Sequence, residues 1–65
     1  MSHEITLEQA TEKARQAEII LLLLEAFPHR LAEDEAELIT GLMSSLVGSA
    51  AAWLLEEQSI RDKKA

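Results

Sequence analysis

The longest apolar run of the chain lies in its first half and stops at the only proline. Six aliphatic residues follow one another from Ile19 to Leu24, and Phe27 precedes Pro28. Side chains at six consecutive helical positions point around more of the helix than one neighbouring helix can cover. The run therefore predicts a helix that needs a second contact surface beyond its own hairpin partner.

Apolar residues before and within this run recur in alternating steps of three and four, the spacing of a heptad seam. The seam consists of Leu7, Ala10, Ala14, Ala17, Leu21 and Leu24. Thr6 followed three residues later by Gln9 is the pattern of a capping box at a helix start. Together these features predict helix one over about residues 7–27, after a frayed lead-in over residues 1–5.

The second half of the chain repeats the pattern after a short break. Pro28 disfavours helical backbone at the residue before it, which predicts a turn over residues 28–32. Glu33, Asp34 and Glu35 suit the amino-terminal end of a helix dipole, which predicts helix two over about residues 33–60. Its seam is Ala36, Ile39, Met43, Leu46, Ala50 and Trp53.

A short link between two helices predicts an antiparallel hairpin. Facing residues should then have numbers that sum to about 60, a geometric estimate from short-loop hairpins. This register sets large residues opposite small ones in most layers and sets Trp53 opposite Leu7, as close packing requires. Trp53 is therefore expected to be a largely buried core residue near the open end of the hairpin.

The chain is short for a self-sufficient core. It has 65 residues and no cysteine, so disulfides are excluded and association with a second copy is the expected remedy. The fold class is predicted as all-α: a single-domain antiparallel two-helix hairpin that dimerises into a four-helix bundle. The dimer interface is expected to contain the apolar residues left near the turn: Ile20, Leu23, Phe27, Leu38 and Leu42.

Charge limits the classes of partner. Twelve acidic and six basic residues give a net charge of −6, which repels a phosphate backbone and argues against nucleic acid as a partner. The first residues are polar and acidic and do not form a secretory signal, so a cytoplasmic location is expected.

The stretch Leu38–Leu55 carries no charge over eighteen residues and has small residues at helical spacing, including Gly41 and Gly48. One interpretation is a membrane-associated hairpin, although serines, a threonine and the two glycines dilute its hydrophobicity. The alternative is a close contact between helices of a soluble protein, where glycine allows backbones to approach. Soluble packing is the preferred interpretation.

Chemistry-bearing residues do not assemble into a catalytic set. Glu25, His29 and Glu33 have helical spacing, but Pro28 interrupts the helix that would align them, so solvated turn residues are expected and no metal or other cofactor is predicted. The sequence has no cysteine nucleophile, and no serine has a histidine at a plausible spacing. The prediction is a protein that is not an enzyme.

The segment Leu31–Ile39 resembles the turn region of Rop, the plasmid-encoded RNA-modulating four-helix bundle, in having an apolar residue before an acidic helix start. The resemblance implies a dimer of hairpins and, as an alternative function, RNA modulation. The RNA-binding face of that family is polar and basic with an aromatic residue. Helix one here carries Glu8, Glu12, Lys13, Arg15, Gln16 and Glu18 instead, so only the architecture is carried over.

The expected function is a small protein–protein interaction module, acting as adaptor, chaperone or regulator in the form of a homodimer. Apolar residues that neither the hairpin nor the dimer uses are the predicted docking surface for another protein. These residues are Ile19, Leu22, Leu54 and Leu55. The same residues would instead complete the dimer core if the bundle is more extensive.

Overall fold

The computed structural model describes residues 3–64, which form two α-helices: α1 (Leu7–Ala26) and α2 (Glu33–Lys64). The helices pack against each other as a hairpin, which confirms the predicted all-α fold with two packed helices. The molecule is elongated, with principal extents of 49 × 19 × 17 Å.

α1 begins with the predicted capping box. The Thr6 hydroxyl oxygen accepts a hydrogen bond from the Gln9 backbone N–H at 3.0 Å, and the Gln9 side-chain oxygen accepts one from the Thr6 N–H at 2.9 Å. Two amide groups that the helix itself leaves without partners are thereby satisfied. The capping residues are therefore confirmed by the structure.

The end of α1 follows from Pro28. Phe27 adopts extended backbone with φ −70° and ψ 121°, as a residue before proline prefers, and α1 ends at Ala26. The Phe27 ring meets the His29 ring edge-on, with centroids 5.9 Å apart. The link between the helices thus spans residues 27–32.

α2 is longer than the seam pattern alone predicts, because it continues to Lys64. At its start the Glu35 carboxylate accepts a hydrogen bond from the Ala32 N–H at 2.8 Å. At its end Arg61 donates to Glu57 at 2.8 Å, one helical turn earlier, and three basic residues occupy the last turn. Both ends thus place charge where the helix dipole favours it.

The core between the helices is thin. Only Ala10, Ala17 and Leu46 are buried among the described residues, so much of the contact is made by half-buried side chains. Every predicted seam residue of α2 is buried or half-buried: Ala36, Ile39, Met43, Leu46, Ala50 and Trp53. The face that α2 turns toward α1 is therefore the one that its pattern predicts.

The face that α1 turns toward α2 differs from the predicted seam at alternate positions. Ala10, Ala17 and Leu24 are buried or half-buried, but Leu7, Ala14 and Leu21 are exposed. Lys13 and Ile20 are half-buried in their place. α1 is thus rotated so that the line 10–13–17–20–24 faces α2, and the aliphatic stem of a lysine can lie along such a contact while its ammonium reaches water.

Candidate interaction surfaces

The apolar surface near the link comprises Leu23 and Phe27 on α1 and Leu38 and Leu42 on α2, all of them exposed. We call it the turn-end surface. Each pair is four residues apart, so its members lie one above the other on the same helix face. Ile20, the fifth residue predicted for the dimer interface, is half-buried and shares the α1 face of Ala17, so part of it already serves the hairpin.

A second apolar surface lies on the other side of the hairpin and was not predicted. It consists of the three exposed residues of the predicted α1 seam together with two residues of α2: Leu7, Ala14, Leu21, Val47 and Leu54. We call it the lateral surface. Leu7 and Leu54 are 60% and 63% exposed, yet with Ala10, Ala14, Ala50 and Trp53 they line a cavity of about 200 Å³. The predicted α1 seam is thus wrong for Leu7, Ala14 and Leu21, which point away from α2.

The predicted docking residues do not form one surface. Ile19 and Leu22 are exposed on α1, and Leu54 and Leu55 are exposed on α2. In an antiparallel hairpin the two pairs lie about 20 Å apart along the axis, given the rise of about 1.5 Å per residue. Leu54 belongs to the lateral surface, whereas its neighbour Leu55 points about 100° further around α2.

The open end of the hairpin is organised by Trp53 and a residue that the sequence pattern missed. The His3 ring stacks on the Trp53 ring, with centroids 4.1 Å apart and planes at 17°. His3 Nε2 also donates a hydrogen bond to Glu57 at 2.9 Å. Residues 1–5 were expected to fray; residues 1 and 2 lie outside the described part of the chain, and His3 and Ile5 are half-buried. The antiparallel register could have indicated the contact between His3 and Glu57, because their residue numbers sum to 60, as expected for facing residues.

Glu57 is the centre of the polar contacts at this end. Its carboxylate accepts hydrogen bonds from Arg61 at 2.8 Å and from His3 at 2.9 Å. The hydrogen bond from Arg61, followed by the one from His3, lowers the pKa of the Glu57 carboxyl below its ordinary value of 4.5. Glu57 is therefore held in its ionised form.

A groove of about 520 Å³ runs beside this cluster, with a floor of small α2 residues and a wall formed by residues 3–5. Its lining includes His3, Glu4, Ser45, Gly48 and Ser49. A serine nucleophile would need a hydrogen bond to its base. His3 Nε2 is occupied by Glu57, and His3 Nδ1 is buried without a hydrogen-bond partner within residues 3–64. The groove therefore brings serines near a histidine but does not couple them.

The two helical glycines do not serve a contact within the hairpin. A Cβ atom built on Gly41 or on Gly48 would meet nothing within 4 Å, and neither residue has a positive φ. Close approach between α1 and α2 is therefore not the reason for glycine at these positions.

The three residues that the sequence analysis considered for a metal site lie in three different parts of the structure. Glu25 lies in α1, His29 in the link and Glu33 at the first position of α2. Across the described part of the chain, no group of three or more histidine or acidic side chains is placed to hold a metal ion.

α2 is long and apolar enough to cross a membrane by length and composition. An 18-residue window has mean hydropathy 1.7, and 11% of that window is buried in the hairpin. Apolar side chains of α2 such as Leu38 and Leu55 thus remain uncovered.

Comparison with protein-family models, with curated proteins and with solved structures finds no match for this chain.

Proposed function

We propose that this protein is a small non-enzymatic interaction module that acts as a homodimeric helical bundle and binds another protein. The observation that supports it is the mismatch between buried and exposed apolar residues. Among residues 3–64, three are buried, whereas eleven large apolar side chains are exposed. Soluble monomers rarely expose apolar patches of this extent, and such patches mark interaction sites.

The energetic argument favours association before partner binding. Burying one leucine-sized side chain stabilises a protein by roughly 1.5–3 kcal/mol. A domain of this length has a marginal core, so covering three or four such residues in each chain would decide whether it stays folded. The hairpin has two exposed apolar surfaces, the turn-end surface and the lateral surface. One of them can bind the second copy and the other can bind a different protein.

Sedimentation velocity at micromolar concentration tests the dimer, together with melting curves over a hundredfold dilution. We expect a dimer mass and a melting temperature that falls on dilution. A well-folded monomer whose melting temperature does not depend on concentration would refute the dimer.

Partner binding is tested with the immobilised protein and extract of the cell that makes it. The turn-end surface, which the sequence analysis predicted as the dimer interface, is assigned in this proposal to the other protein, so Leu23→Asp should abolish capture of the partner while leaving the dimer mass unchanged. Glu12→Gln, also on an exposed part of α1, is the matched control and should retain capture. Equal capture by both variants would remove the turn-end surface from the proposal.

A membrane-associated hairpin is a second candidate, favoured by the hydropathy of α2. Flotation with liposomes distinguishes the two functions. Co-flotation of the wild type at physiological salt would favour the membrane, whereas recovery of the dimer in the bottom fraction would favour the soluble module. RNA modulation draws no support from the net charge of −6.

A further inference from the structure

We propose that the second copy docks on the lateral surface, with the turns of the two hairpins at opposite ends and the two-fold axis passing beside Ala14 and Val47. The inference rests on the proposed homodimer and specifies its interface. It reserves the turn-end surface for the other protein.

The first argument is continuity with the contact between α1 and α2. Ala10 and Ala17 face α2, and Ala14 lies between them on the adjoining line of the same heptad pattern. A helix in a four-helix bundle uses two such lines, one toward each neighbouring helix. On α1 the unused line contains Leu7, Ala14 and Leu21, so a further helix is the occupant that this spacing fits.

The second argument is that the surface is complementary to itself. Leu7 and Leu21 are each seven residues from Ala14, so antiparallel pairing of α1 with its copy sets leucine beside leucine and alanine beside alanine. Val47 lies at the level of Ala14, because facing residues have numbers that sum to about 60. A single two-fold axis can thus relate α1 to its copy at Ala14 and α2 to its copy at Val47. Leu21 of the second copy would lie at the apolar cavity that Leu7 lines.

The third argument is charge. Glu33 and Arg61 are each fourteen residues from Val47, so antiparallel pairing of α2 with its copy sets Glu33 opposite Arg61 of the other chain. Arg61 donates to Glu57 of its own chain through Nε, but its side chain is largely exposed, so its two terminal guanidinium nitrogens remain for such a contact. Hairpins with their turns at the same end would instead place both acidic helix starts at one end of the bundle, each containing Glu33, Asp34 and Glu35.

Disulfide trapping tests the arrangement cleanly, because the chain has no cysteine. Under mild oxidation Ala14→Cys alone and Val47→Cys alone should each give a covalent dimer, since each residue lies beside its own copy. Leu23→Cys, exposed on the turn-end surface, is the matched control and should stay uncrosslinked.

Charge reversal provides an independent readout. Because the two-fold symmetry makes this pair occur twice, Glu33→Lys and Arg61→Glu should each raise the dimer dissociation constant about two- to thirtyfold, the range for two exposed ion pairs. The double variant restores the pair and should return to within about twofold of the wild type. Circular dichroism verifies that every variant stays helical, and failure of the double variant to recover would overturn the predicted pairing.

The outcomes separate this inference from the homodimer on which it rests. A monomeric wild type refutes both. A dimer that crosslinks only through Leu23→Cys keeps the homodimer and refutes the lateral interface. Crosslinking only in a mixture of the Ala14→Cys and Val47→Cys proteins keeps the surface but overturns the orientation, because that pair meets when the turns lie at the same end.

Discussion

Replacing both helical glycines by alanine should stabilise this protein, and the structure allows the magnitude to be worked out. Gly41 and Gly48 lie inside α2, and an added Cβ meets no atom within 4 Å at either position. No steric term then opposes the helix propensity of alanine, which exceeds that of glycine by about 0.8–1.0 kcal/mol per residue. Gly41→Ala with Gly48→Ala should thus raise the free energy of unfolding by about 1.6–2 kcal/mol.

A domain of this size gains about 4–8 °C in melting temperature per kcal/mol, so the double variant should melt about 6–16 °C above the wild type. Circular dichroism melts at one fixed protein concentration measure the shift, and sedimentation verifies an unchanged oligomer. Ala51→Gly, at an exposed position of the same helix, is the matched control and should lose about 1 kcal/mol.

A lower melting temperature or a weaker dimer in the alanine double variant would refute this reasoning. It would mean that another backbone approaches α2 at the glycines, as the close-contact interpretation of the small residues requires. The lateral interface would then lose its support, because Gly41 and Gly48 point away from it.

Three further predictions concern the ends of the hairpin. Trp53→Ala should cost about 3 kcal/mol of stability in chemical denaturation. This is the low end for tryptophan truncation, because Trp53 is half-buried. Fluorescence of the native wild type at the fully solvated maximum would contradict this packing. Thr6→Ala should lower the free energy of unfolding by about 1 kcal/mol in the same assay, whereas Thr6→Ser should be nearly neutral. Equal losses of stability in the two variants would mean that the hydroxyl does not cap α1. The lowered pKa of Glu57 means that its ionised form stabilises the folded chain above pH 4.5, and that this contribution disappears as the pH falls through the folded pKa. Melting curves between pH 7 and pH 3 should therefore show a smaller loss in Glu57→Gln than in the wild type, and parallel losses would contradict the assignment.

Local sequence signals predict the helices well. Thr6 with Gln9 marks the start of α1, Pro28 marks its end and the acidic residues 33–35 mark the start of α2, because each of these signals acts within one helical turn. The α2 seam is also correct, since its six residues are buried or half-buried, whereas Leu38, Val47 and Leu54 on other faces of α2 are exposed.

The rotation of α1 could not be predicted from the same rules. Apolar residues cover so much of this helix that two lines compete, one through Ala14 and Leu21 and one through Lys13 and Ile20. The pattern favours the purely apolar line, whereas the structure turns the line with the lysine inward. The His3 contacts were missed for a different reason: they join residues 54 positions apart, and no local pattern reports such a contact.

The contacts of His3 have a consequence for local opening of the chain. A hairpin held only by its link opens most easily at the far end, where amide hydrogens then exchange with solvent through small fluctuations. Here the stack on Trp53 and the hydrogen bond to Glu57 join the lead-in to α2 beyond the first turn of α1. Backbone amides near Trp53 should accordingly exchange at rates close to those near Leu46, and removing the imidazole should make the open end exchange first.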